Sequence, residues 1–187
     1  QLNFGNSGTL ARLLIGILST TPNIELKIRG DHSLNKRNMK KLIQLMSEFG
    51  AEFLPKNKFN FPLRFISTEM PIGIKYKSGI SAQLKSAVIL AGLNAYGTTE
   101  IIEEKASRNH TENILVKNPQ SIKISNQGEK IIKIFGKKYL NPINLNIPGD
   151  PSSAAFLIAL GLMKSKKLII KNVLLNERRI GFLKILK

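Results

Sequence analysis

The chain repeats one arrangement three times, and this repetition restricts its fold more than any other sequence feature. The repeats begin at residues 6, 81 and 150. Each has a polar first turn, an apolar helix, a short turn, a strand, an arginine-bearing loop and a second, amphipathic helix. The predicted strands, 25–28, 100–102 and 168–170, recur at roughly 70 residues, the size of whole supersecondary units rather than short solenoid repeats. The sequence therefore predicts an α/β (α+β) protein built from copies of one unit.

Further strands are predicted between the repeats. Ile122 and Ile124, and then Ile132 and Ile134, alternate with polar residues, which is the period that places side chains on one face of a strand. Residues 51–69 have the same β-type character. Each repeat is therefore expected to run strand, helix, strand, helix and then more strands.

The apolar helix of the second repeat contrasts with its own first turn. Residues 87–91 are all apolar, so no polar stripe faces solvent and we expect a buried helix. Its first turn carries Ser81, Gln83 and Lys85. A helix start exposes N–H groups and the positive end of the helix dipole, which suits an anion. On this stretch alone, a plain N-cap by Ser81 explains the same residues.

The repetition favours the anion-binding interpretation. Three apolar helices with polar residues at the same end indicate that these ends meet, and we place the helix starts near Gly8, Gln83 and Ser153. Each nearby cation could by itself form a surface salt bridge or a capping contact, but together they are of the kind that clamps phosphate or carboxylate. These cations are Arg12, Arg37, Lys85, Arg108 and Arg179.

Composition limits the choice of partner. The chain has 187 residues, 42% of them hydrophobic, and 29 basic against 12 acidic residues give it a net charge of +17. The basic residues are mostly lysines spread along the chain, and only 6% of residues are aromatic, which is a poor basis for stacking nucleic-acid bases. We therefore expect small anionic substrates and neither nucleic acid nor membrane as partners. A basic nucleic-acid-binding repeat module is the alternative from another class.

Several kinds of site are disfavoured by residue content. The chain has no cysteine, which excludes disulfides, thiolate metal sites and a cysteine nucleophile in this stretch. His32 and His110 lack metal-ligand spacing, so we expect neither metal nor cofactor. The longest apolar runs are about half the ~20 residues that span a bilayer, and without a signal peptide we expect a cytoplasmic protein. The chain begins without Met and ends on "GFLKILK", so we expect a fragment of a longer protein.

Five motifs resemble, in order, those of the EPSP synthase family, the 3-phosphoshikimate 1-carboxyvinyltransferases. They are "GNSGTLARLL", "GDHSLNKRNM", "SAQLKSAVILAG", "SRNHTE" and "IPGDPSSAAF", and the third and fourth resemble the bacterial branch with Ser-Ala-Gln. The resemblance implies repeated βαβαββ units whose buried parallel helices start at a shared cleft. It also implies that residues 1–146 are the later part of a first lobe and 147–187 the crossover into a second.

The resemblance implies a reaction and its binding residues. Family members transfer the enolpyruvyl group of phosphoenolpyruvate to the 5-hydroxyl of shikimate 3-phosphate and release phosphate, as monomers without a cofactor. Catalytic residues are expected outside this chain, which alone should be inactive. Phosphoenolpyruvate would be bound by Asn6, Gly8, Arg37 and Gln83. Shikimate 3-phosphate would be bound by Ser81, Ala82, Gln83, Ser107 and Arg108.

Departures from the family pattern are few. Asn38 stands where the family usually has Pro, and Asn109 where it has Asp; neither removes a proposed cation. The resemblance also implies that Gly8 accompanies sensitivity to glyphosate, which occupies the phosphoenolpyruvate site. UDP-N-acetylglucosamine enolpyruvyl transferase is the alternative within the same fold, but it resembles "SRNHTE" and "GDPSSAAF" less.

Overall fold

Two of the predicted repeats fold as predicted, each around its own four-stranded sheet. The computed structural model describes residues 1–126, 128–164 and 167–186 and divides the chain into two compact units, Gln1–Asn141 and Pro142–Lys187. Both complete repeats lie in the first unit.

The first repeat has the order βαβαββ, with its second helical segment in two parts. Its strands pair in the order β1-β2-β4-β3, with β1 parallel to β2 and the other pairs antiparallel. The elements are β1 (Leu2–Asn3), α1 (Gly8–Ser19), β2 (Glu25–Arg29), α2 (His32–Asn35), α3 (Lys40–Glu48), β3 (Glu52–Leu54) and β4 (Leu63–Ile66).

The second repeat has the same order and the same sheet. Its strands pair in the order β5-β6-β8-β7, again with only the first pair parallel. Ile132 and Ile134 are fully buried, as their alternation predicted. The elements are β5 (Lys75–Ser78), α4 (Ala82–Asn94), β6 (Thr98–Glu103), α5 (His110–Leu115), β7 (Ile122–Ser125) and β8 (Lys130–Phe135).

Helices α1 and α4 join the two repeats into one core. A Cβ atom at Gly16 of α1 would lie only 2.6 Å from the carbonyl oxygen of Ala87 in α4, so the two backbones approach more closely than any side chain would allow. No residue of α4 is exposed, and the prediction of a buried helix is confirmed. Ser7 and Ser81 cap the two helices by accepting hydrogen bonds from the N–H groups of Leu10 and Leu84.

The second unit differs from the prediction in two ways. It contains α6 (Pro151–Lys164) and α7 (Gly181–Ile185), but the predicted strand 168–170 is wrong, because these residues have no strand pairing; the unit's described β contact is one bridge between Gly149 and Val173. Burial of the third apolar helix is also not observed, since the side chains of Phe156 and Met163 in α6 are about 80% exposed.

The start of α6 does follow the sequence. Asp150 accepts hydrogen bonds from the backbone N–H and the hydroxyl of Ser153, so it caps the helix whose start the sequence places near Ser153. No helix among the described residues is long and apolar enough to cross a bilayer.

Candidate functional site

The N-terminal ends of α1 and α4 meet through polar side chains. The amide nitrogen of Gln83 donates to the hydroxyl of Thr9 over 2.6 Å, and a guanidinium nitrogen of Arg12 donates to the amide oxygen of Gln83 over 2.9 Å. The same Arg12 nitrogen also donates to the carbonyl of Gly8. The prediction that the first two helix starts lie together is therefore confirmed, and the helix of the third repeat belongs to the other unit.

Arg37 reaches the same place from the loop after α2. Its guanidinium donates to the side-chain oxygen of Asn6 over 3.1 Å. A Cβ atom at Gly8 would lie 2.9 Å from one Arg12 nitrogen and 3.0 Å from one Arg37 nitrogen. The two guanidinium groups therefore approach within about 6 Å of each other across the missing side chain of Gly8.

Neither arginine of this pair is neutralised by a carboxylate of the described chain. Arg12 and Arg37 form no salt bridge within residues 1–126, 128–164 and 167–186. Burial lowers the pKa of Arg12, and the adjacent charge of Arg37 lowers it further, although an arginine stays protonated at neutral pH. Two such cations beside two helix N-termini are an arrangement that favours a phosphate or a carboxylate as ligand.

A cavity of about 330 Å³ adjoins Arg12 and Ser81. Lys40 and Lys41, at the start of α3, also line it. Sequence reasoning missed these two lysines, although a Lys-Lys pair directly after the Arg37 motif was the available signal. Asn38, where the family pattern has Pro, accepts a hydrogen bond from the N–H of Lys40 and so satisfies a donor at the start of α3.

Lys85 corrects one expectation. The sequence groups it with the cations around the cleft, but its side chain is fully buried and paired with two carboxylates, those of Glu103 and Glu112, each 2.6 Å away. The contact with Glu103 is a hydrogen bond, whereas that with Glu112 is an ion pair without hydrogen-bond geometry. A buried charge needs such partners, so Lys85 serves the interior of the fold.

Arg179 also departs from the expected set. Its guanidinium lies 2.6 Å from a carboxylate oxygen of Asp150 and donates to the hydroxyl of Ser152, all within the second unit. The hydrogen bond from the backbone N–H of Ser153, followed by those from the Ser153 hydroxyl and from Arg179, lowers the pKa of Asp150, although burial opposes this shift. Arg179 is therefore paired with Asp150 at the start of α6.

Ser107 and Arg108 follow β6 and differ in their surroundings. Ser107 is buried, and its backbone N–H and its hydroxyl both donate to Glu103. Arg108 is exposed and, in the described part of the chain, forms neither a hydrogen bond nor a salt bridge. No described contact joins these two residues to the Arg12–Arg37 pair. Ser81 caps α4, and Ala82 is its half-buried first residue.

The family comparison decides which proteins share this arrangement. The model of the family EPSP synthase (3-phosphoshikimate 1-carboxyvinyltransferase) matches residues 1–187, the whole chain. The chain belongs to the EPSP synthase family. The resemblance carried by the five motifs is thereby confirmed.

Individual family members agree with this assignment. The 3-phosphoshikimate 1-carboxyvinyltransferases of Novosphingobium aromaticivorans and Zymomonas mobilis are each 40% identical to the chain; the matches cover 100% of it and 43% and 42% of those proteins. The EPSP synthase structure from Acinetobacter baumannii superposes with a TM-score of 0.81 at 34% identity, over 98% of this chain and 41% of that one. The chain thus spans less than half the length of these family members.

Proposed function

We propose that this chain forms part of an EPSP synthase, which transfers the enolpyruvyl group of phosphoenolpyruvate to the 5-hydroxyl of shikimate 3-phosphate and releases phosphate. The observation that supports this most directly is the guanidinium pair of Arg12 and Arg37, which has no carboxylate partner in the described chain and lies beside two helix starts. Both substrates are anionic, and such a site lowers the electrostatic cost of bringing them together.

The phosphoenolpyruvate side of the proposed site is built on α1. Arg37 binds the charged groups of the substrate, Asn6 holds the Arg37 guanidinium through its hydrogen bond, and Gly8 leaves room for close approach to the helix N–H groups. Gln83 contacts both substrates, and its hydrogen bonds to Thr9 and Arg12, between the two helix starts, support this role.

The shikimate 3-phosphate side is built on α4 and the loop after β6. Ser81, Ala82 and Gln83 lie at the start of α4, where unpaired N–H groups favour a phosphate. Arg108 supplies a further contact to the 3-phosphate, since no carboxylate of the described residues neutralises its charge. Ser107 would contact the same phosphate by releasing one of the two hydrogen bonds that it donates to Glu103. The groups that carry out the chemistry are expected in other parts of the enzyme.

The remaining elements of the proposal concern organisation. Residues 1–146 would form the later part of one lobe and 147–187 the crossover into the next. The complete enzyme would work as a cytoplasmic monomer, with small anionic substrates and without metal, cofactor or nucleic acid. The chain alone would be inactive, because it spans less than half of the family members it matches.

Phosphate release by the complete enzyme carrying this chain tests the proposal. We expect phosphate release only when phosphoenolpyruvate and shikimate 3-phosphate are both present, with no release when UDP-N-acetylglucosamine replaces the second substrate. Release with phosphoenolpyruvate and UDP-N-acetylglucosamine, but not with phosphoenolpyruvate and shikimate 3-phosphate, would instead identify a UDP-N-acetylglucosamine enolpyruvyl transferase. Salt-resistant binding to nucleic acid with a discrete site size would favour the basic-module alternative.

A further inference from the structure

Four charged side chains form a buried cluster beneath the start of α4. The lysines are Lys85 of α4 and Lys130 of β8, and the carboxylates are Glu103 at the end of β6 and Glu112 of α5. Three of these side chains are at most 1% exposed, and that of Lys130 is 19% exposed. The formal charges cancel, so the cluster is balanced as a set.

Glu103 is the member with the most hydrogen bonds. One carboxylate oxygen accepts from the ammonium of Lys85 over 2.6 Å and from the hydroxyl and the N–H of Ser107 over 2.9 and 3.0 Å. The other oxygen accepts from Lys130 over 2.6 Å. One buried carboxylate therefore ties the loop of residues 104–109 to both α4 and β8.

The far end of this loop is fastened to the same turn of α4. Glu112, in the helix that follows the loop, lies 2.6 Å from Lys85, and the hydroxyls of Ser86 and Thr111 are hydrogen-bonded over 2.7 Å. Two neighbouring residues of α4 thus hold α5, while Glu103 holds the middle of the loop. Both ends of the loop are therefore held to the N-terminal part of α4, the helix that Ser81 caps.

The strand register explains why these groups meet. Strands β5 and β6 are parallel, and Ser78 pairs with Glu103 at their ends. The chain leaving β5 leads within three residues to the cap of α4, and the chain leaving β6 leads to Ser107 and Arg108. The cluster lies where the chain segments that follow β5 and β6 run side by side.

We propose that Glu103 is a positioning residue for the phosphate group of the substrate, which it serves by fixing the backbone of Ser107 and Arg108 relative to the start of α4. This inference rests on the proposed function. Buried ion pairs are often no more stabilising than packed apolar residues. Their short hydrogen bonds, however, fix the distance and orientation of the bonded groups relative to each other. Arg108 is exposed, so its placement depends on the backbone that carries it.

Two matched substitutions in the complete enzyme test this role. Glu103→Asp and Glu112→Asp each shorten a buried carboxylate by one methylene and keep the charge balance of the cluster, but of these two carboxylates it is Glu103 that accepts the described hydrogen bonds from Ser107. We expect Glu103→Asp to raise the Kd for shikimate 3-phosphate, measured by calorimetry, at least tenfold, with the KM for phosphoenolpyruvate changed less than threefold. Glu112→Asp should change both constants less than threefold.

The outcomes separate this inference from the proposed function. If the unmodified enzyme does not bind shikimate 3-phosphate, the proposed function fails and the inference with it. If the unmodified enzyme binds and Glu103→Asp binds equally well, or both variants weaken both substrates alike, Glu103 is only structural. Should Glu103→Asp not fold, Lys130→Met removes the other hydrogen bond to Glu103 at a partly exposed site. A threefold selective loss of shikimate 3-phosphate affinity supports the inference, and unchanged affinity overturns it.

Discussion

Replacing Lys85 with Met should destabilise the chain far more than removal of any surface lysine. Met has a similar length but no charge, so Lys130 would be the remaining cation of the four-residue cluster, which would then carry one uncompensated negative charge. Breaking a buried ion pair on one side costs about 3–5 kcal/mol. Lys130 is 19% exposed and its Nζ already lies 3.6 Å from Glu112, so its ammonium group can move closer to Glu112. We therefore expect the free energy of unfolding to fall by about 3 kcal/mol.

Urea-induced unfolding followed by far-UV circular dichroism measures this loss, since the chain has no tryptophan. With a typical slope of about 2 kcal/mol/M, the midpoint should fall by about 1–2 M urea. Lys75→Met is the matched control, because the Lys75 side chain is 68% exposed and its pair with Glu100 spans 3.2 Å; its loss should stay below about 1 kcal/mol.

The double variant Lys85→Met with Glu112→Gln tests the charge argument itself. Removing one carboxylate restores neutrality, so the double variant should recover at least about 1 kcal/mol of the loss caused by Lys85→Met alone. If the single change costs less than 1 kcal/mol, or if the double variant is less stable than the single one, charge imbalance is not what makes Lys85 important.

Three further predictions concern ligands and pH. Arg37→Ala should raise the KM for phosphoenolpyruvate much more than that for shikimate 3-phosphate, and Arg108→Ala should do the reverse; equal small effects in steady-state kinetics would make both ordinary surface residues. Gly8→Ala places a methyl group against the Arg12 and Arg37 guanidinium groups, and it should raise the inhibition constant for glyphosate more than the KM for phosphoenolpyruvate, by about 1–3 kcal/mol of discrimination; an unchanged ratio in competition assays would contradict this. Burial alone would raise the pKa of Glu103, but hydrogen bonds from Lys130, Lys85 and Ser107 lower it from 4.5 to about 2. The stability it contributes, on the order of 3 kcal/mol, should therefore be complete above pH 4.5 and disappear as the pH falls towards 2. Urea midpoints measured across this range should lose part of their pH dependence in Glu103→Gln.

The features that sequence predicted correctly are those set by local pattern. The period of two at Ile132 and Ile134 depends only on neighbouring residues, and so does the lack of a polar stripe in residues 87–91. Each requires burial wherever the segment finally packs. Because the same local pattern is repeated, the sequence also predicted that two helix starts lie together. The hydrogen bond between Gln83 and Thr9 confirms this.

Lys85 shows why the rest could not be predicted. Its place in a polar first turn is equally consistent with a ligand contact, a solvent contact or a buried pair. The choice depends on Glu103 and Glu112, which other elements bring to it. Nothing in the sequence around Lys85 indicates those partners, so the buried cluster became visible only in three dimensions.

The error at residues 168–170 has a related cause. An apolar, β-branched run satisfies the sequence criteria for a strand, but strand structure also requires a neighbour that supplies hydrogen bonds. In the second unit the described pairing is limited to the single bridge at Gly149. Residues 168–170 therefore have the sequence pattern of a strand but no described neighbouring strand to pair with.

The close approach of Gly16 to Ala87 has a consequence for how this protein tolerates genetic variation. Gly16 lies eight residues into the chain from Gly8, about 12 Å along the helix axis, and no proposed ligand comes near it. Yet any side chain there would push α1 away from α4 and separate Arg12 from Gln83. In a mutational scan scored by growth, Gly16 should therefore behave like a binding residue, because the width of the site is set at this distant point on the helix.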